Sequence, residues 1–115
     1  MDGLAEFILA RLDEDEAAAR SLAMATRFVE GCPDFYGRGG PAAEVYWERF
    51  PPDRVLRDAE ATRKVLAAFT NAQGQILDGT MIHLGGGYTM RGGWVVRQLA
   101  AVYSDHPDYR AEWKP

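Results

Sequence analysis

The chain has 115 residues, 47% of them hydrophobic, which suits one compact domain over residues 1–115 built on a single core. Its only cysteine, Cys32, excludes an internal disulfide or a cysteine-rich metal knot and leaves pairing with another molecule open. The formal charge of −4 sits at one end, since residues 1–30 hold seven acids against three arginines while the rest is balanced; this excludes a phosphate backbone as the main partner and favours a basic protein patch.

From residue 4 to residue 29 the pattern is helical. Leu4, Ile8, Leu12, Ala19, Leu22, Ala23 and Val29 recur at helical spacing, and Ala17, Ala18 and Ala19 add strong propensity. This long N-terminal helix is expected to stop at Gly31-Cys32-Pro33. Residues 33–41 hold three glycines and two prolines, the chemistry of a loop, and a short helix over 42–50 is expected before Pro51-Pro52. Proline is tolerated in a first helical turn and an acid is favoured there, so Pro52-Asp53 starts a middle helix over 52–69. Its buried stripe would be Val55, Ala59, Thr62, Leu66 and Phe69, with Leu56 alongside.

Further on, Asp78-Gly79 lies between β-compatible runs, which predicts a small β-hairpin near 75–84 with that pair as its two-residue turn. Residues 85–93 then place five glycines in nine positions, a mobile or tightly turning link. A C-terminal helix is expected over 94–103, with Val95, Leu99 and Val102 on one face. His106 precedes Pro107 and so leaves the helical region. Tyr109 and Trp113, four apart, would share a face in a further turn. The fold class is mainly α, a small helical bundle with an inserted hairpin. No apolar run approaches the roughly eighteen residues of a membrane span. Met1-Asp2 opens an amphipathic segment rather than a signal peptide, so a soluble, cytoplasmic protein with no membrane partner is expected.

Few residues carry chemistry. Asp13-Glu14-Asp15-Glu16 lacks the alternating ligands and glycine of a calcium loop and reads as a solvated or partner-facing helix face, with Glu16 able to pair with Arg20 and Arg11 with Asp15. Arg54, Arg57, Arg63 and Lys64 are largely matched by local acids, Asp53 with Arg57 and Glu60 with Lys64, which argues against a nucleic-acid recognition helix. His83, His106 and Cys32 are too few for a closed zinc site, so no metal is expected. Asp105-His106 suits capping and docking hydrogen bonds more than acid–base chemistry. Gly85-Gly86-Gly87 matches neither a dinucleotide fingerprint nor a phosphate loop, and no cofactor is implied. Tyr46, Trp47 and Phe50, with Phe35 and Tyr36, form an aromatic group that is either packing or a protein-binding surface.

Three blocks carry a resemblance: Leu4 to Arg20 with its Leu-Asp-Glu-Asp-Glu run, Arg54 to Leu66, and Leu99 to Pro115 with Tyr103-Ser104-Asp105-His106-Pro107 and the ending Trp113-Lys114-Pro115. Through them the chain resembles a group of small actinobacterial and phage proteins, domain of unknown function 6221. None of the blocks is a catalytic motif, so the resemblance implies no site residue. Where such relatives often carry a Cys/His segment before the last helix, this chain has its glycine-rich region.

The leading expectation is a non-enzymatic module that engages another protein through Asp13, Glu14, Asp15 and Glu16 or through Tyr46 and Trp47, with self-association left open. The alternative is a small enzyme whose site gathers His83, His106 and nearby carboxylates under the glycine-rich loop. An enzyme should show a concave pocket with perturbed titratable groups, a binding module a flat or grooved patch.

Overall fold

The computed structural model describes residues 3–28, 49–79 and 81–115, with the side chains of 25–28 and 84 left aside. Among these residues the chain is mainly α-helical with one small antiparallel hairpin. In chain order the elements are α1 (Leu4–Phe28), α2 (Pro52–Ala68), β1 (Met81–Gly85), β2 (Tyr88–Arg91) and α3 (Gly92–Ala101), followed by a 3₁₀ turn at Ala111–Trp113. The expected stop of the first helix at 31–33, the loop at 33–41 and most of the helix at 42–50 lie outside the described residues; of the last, Arg49 is helical and Phe50 a bend.

Two compact units make up the chain: Met1–Leu12 with Ala61–Pro115, and Asp13–Glu60. In the first unit α1 buries Leu4, Ala5, Phe7, Ile8, Arg11 and Leu12. That spacing is the apolar stripe of an amphipathic helix, with Arg11 as its one charged member. Leu66 of α2, Val96 and Ala100 of α3, and Trp113 complete the core of this unit.

Helix α3 begins two residues earlier than its sequence suggests, and its buried positions are Gly92, Gly93, Val96 and Ala100. Val102, expected on the buried face, is 76% exposed. The reason is its place at the end of the helix: Val102 is the C-cap, past Ala100, the last buried residue of α3. Leu99 and Val95 flank the buried line and are half-buried.

The hairpin is present but lies one strand further along than expected. Met81 faces Arg91, Ile82 faces Met90 and His83 faces Thr89, with an irregularity before Gly85 meets Tyr88. The turn is made by the glycines 85–87, all three in the left-handed region (φ 81°, 62° and 83°), where a side chain is disfavoured. Asp78 and Gly79 do not take the positive φ that a type I′ turn requires. Residues 75–77 pair backward instead. Leu77 N donates to Phe69 O (2.7 Å), Asn71 N to Gln75 O (2.9 Å), and Thr70 and Ile76 form a bridge. A side chain at Gly92 would meet Leu77 O and a Phe69 ring carbon, each at 2.8 Å, so glycine there lets α3 start hard against this small loop.

The second unit includes several contacts between near neighbours in sequence. Arg20 donates to Glu16 (3.3 Å), as the four-residue spacing predicts. Pro51 O accepts from Arg54 N and Val55 N, opening α2 with Asp53 in its first turn. Arg54 bonds Arg49 O (2.6 Å), lies 3.9 Å from Asp58 and stacks over Phe50 at 4.7 Å. Along α2, Ala59 and Leu66 are buried, and Val55, Leu56 and Thr62 are half-buried, in line with the predicted stripe.

Candidate functional site

Two features of the first unit compete for attention, a C-terminal anchor and a groove. The anchor is built around Phe7. Four rings meet it: Tyr103 (centroids 6.4 Å), His106 (5.7 Å) and Tyr109 (5.9 Å) edge-on, and Trp113 tilted at 5.1 Å. Such edge and tilted arrangements are the favoured ones for aromatic rings. Arg110 covers Trp113 from 5.1 Å, and Trp113 is 3% exposed. Among the described residues the Trp113 indole N–H and the Tyr109 hydroxyl are buried with no hydrogen-bond partner, so packing rather than polar pairing holds these two rings.

Arg11 reaches the same cluster. Its Nη1 lies 2.7 Å from His106 Nδ1, contacts Nε2, and stands 3.7 Å from the Asp108 carboxylate. The Asp108 backbone N–H also donates to His106 Nδ1 (3.1 Å). A guanidinium and an amide can only donate, so this imidazole nitrogen serves as an acceptor. His106 is thereby fixed in place for a guanidinium that is 8% exposed. The residue makes docking bonds, the role its position before Pro107 suggests.

The groove lies between the first turns of α1 and the end of α2 with the loop that follows it. One half is a polar hollow of about 550 Å³, bordered by Gly3, Glu6, Gln73, Gln75, Ile76 and Asp78. The other is a smaller apolar hollow of about 180 Å³ formed by Ala5, Leu9, Leu66, Ala67 and Thr70, with Arg63 at its rim. Ala5, Glu6 and Gly74 line both, so the hollows adjoin. Asn71 stiffens the wall: its Oδ1 accepts from Gln73 N and Gln75 N, both at 2.9 Å, and its Nδ2 donates to Gln75 Oε1 (2.9 Å). A closed ring of bonds to one asparagine is an Asx turn, and it holds the loop in one shape. Sequence reasoning missed this groove. The signal available was Asn71 three residues before Gly74, a turn pair between the expected helix over 52–69 and the expected hairpin near 75–84.

Of the residues singled out from sequence, Asp13 and Glu14 are exposed and Asp15 and Glu16 half-buried on α1. Tyr46, Trp47 and Cys32 lie outside the described residues. His83 is exposed on β1 opposite Thr89, and His106 sits in the anchor. Among the described residues no group of three or more His, Cys, Asp or Glu is placed to share a metal ion. No described helix is long and apolar enough to cross a membrane.

The family of unknown function DUF6221 matches the sequence over residues 1–115. The chain belongs to that family. No curated protein and no solved structure matches it. Within this DUF6221 chain, Tyr103, His106 and Trp113 of the closing signature are all anchor residues, so the segment that carries the resemblance does structural work around Phe7.

Proposed function

We propose that the chain is a cytoplasmic, non-enzymatic module that binds another protein. The observation that carries this reading is the groove, an open two-part channel with an apolar half and a polar half on a stiffened loop. Specific recognition sites commonly pair an apolar seat with a few placed polar groups. The acid surplus of residues 1–30 adds a long-range term: Asp13 and Glu14, with Asp15 and Glu16 beside them, speed encounter with a basic partner. Tyr46 and Trp47 are further candidate contacts for that partner. Ala67 is exposed and lines the apolar hollow, so Ala67→Arg fills it while keeping a good helix former. Immobilised parent and Ala67→Arg proteins are exposed to extract of the native cell. A protein held by the parent and lost by the variant supports the reading, and one held equally by both moves the interface off the groove.

A further inference from the structure

We infer that the groove takes an extended peptide segment in which an apolar residue is followed closely by basic ones. This rests on the binding-module reading and names the chemistry of the partner. Three observations lead to it. The apolar hollow is small, about 180 Å³, a volume that suits one aliphatic side chain between Leu9, Leu66 and Ala67. Glu6 and Asp78 border the larger polar hollow, and among the described residues neither is engaged in an ion pair. Glu6 borders the apolar hollow as well, so a carboxylate stands at the junction of the two hollows and a second, Asp78, further along the polar one. A segment with its leucine-like residue in the apolar seat places the cations that follow it by Glu6 and Asp78.

The polar end also supplies neutral partners. Gln73 and Gln75 border the hollow, where their amides can bond a peptide backbone. Asn71 Oδ1 already holds the Gln73 and Gln75 backbone N–H groups, so this wall needs no ordering when a segment arrives. A nucleic-acid strand is a poor occupant, because its phosphates would face two carboxylates.

The test uses the whole chain, labelled with nitrogen-15, and three capped pentapeptides that share one leucine and differ in carrying two lysines, two glutamines or two glutamates. The lysine peptide should shift the amide signals of Glu6, Leu9, Thr70, Gly74 and Gln75 and leave those of β1 and β2 unmoved. Glu6→Gln/Asp78→Asn removes the two carboxylate charges, one exposed and one half-buried, and should weaken the lysine peptide by roughly tenfold, the combined effect of two ion pairs near the surface. The same double substitution should not weaken the glutamine peptide. If the glutamine or glutamate peptide binds the groove as well as the lysine peptide, the inferred charge preference is overturned while the groove remains a binding site. If no peptide moves the groove signals, the inference is overturned, and the Ala67→Arg comparison decides the binding-module reading separately. Should the double variant lose its dispersed spectrum, Asp78→Asn alone, on the loop wall, gives the same comparison.

Discussion

Residues 4–12 of α1 bury six of nine side chains, whereas residues 13–20 of the same helix bury only Ala19. The first stretch is held from outside, by rings and a histidine that arrive from nearly the other end of the sequence. The second carries the strong helix formers Ala17, Ala18 and Ala19 and the Glu16–Arg20 pair. Along one continuous helix, burial under distant side chains thus gives way to a more exposed stretch rich in intrinsic propensity. Substitutions should separate the two.

The largest effect is expected at Trp113. Truncation of a buried tryptophan to alanine costs about 3–5 kcal/mol, against a total stability of about 5–15 kcal/mol for a domain of this size. Urea unfolding of Trp113→Ala should show a midpoint far below that of the parent; equal midpoints would mean that the anchor contributes nothing to holding residues 4–12. Trp113→Phe should lose much less, because the indole N–H it discards has no partner among the described residues.

The next effect is polar. His106→Ala leaves the Arg11 guanidinium, 8% exposed, without its imidazole acceptor, at a cost of about 1–3 kcal/mol. His106→Gln restores an acceptor and should recover part of the loss. Alanine and glutamine variants with indistinguishable unfolding curves would show that the ring serves only by packing on Phe7.

In the second stretch the effects are smaller and of another kind. Ala18 is exposed, so Ala18→Gly should cost only the propensity difference of about 1 kcal/mol, read as a change in helical circular dichroism and melting temperature. A loss as large as that at Trp113 would erase the contrast between the two stretches. Smaller still than the anchor effects, Glu14→Gln with Asp15→Asn keeps side-chain size and should lower stability far less than Trp113→Ala. The same pair of substitutions should slow association with the partner and flatten its dependence on salt, which stopped-flow measurements across ionic strengths would reveal. Unaltered kinetics would remove the acidic face from the interface.

How much of this was legible follows the same division. The start of α1, the bounds of α2 and the Glu16–Arg20 pair came from periodicity, first-turn residues and four-residue spacing, all of which act within one element. The hairpin came through as an element but not in place. Asp78-Gly79 and the glycines 85–87 are rival turn signals, and the pairing partner decides between them: 75–77 found Phe69 to Asn71 upstream and left 81–85 to pair with 88–91. Arg11 carried a hint, since position 11 falls on the apolar stripe of 4, 7, 8 and 12. Its bond to His106, 95 positions away, had no local trace. The groove was hidden for the same reason, as its walls come from Glu6 and Leu9 on one side and residues 63–78 on the other.

The position of Trp113 also bears on the order in which the molecule is made. A ribosome delivers Leu4, Phe7 and Ile8 about a hundred residues before the rings that cover Phe7. During that interval the apolar stripe of the nascent first helix has no permanent cover, a state that invites chaperone contact or aggregation. Closure across so long a separation also slows the search for the native state relative to a bundle of neighbouring helices. Stalled or prematurely terminated translation before Trp113 should therefore yield a chain with its first helix formed and its sticky side outward.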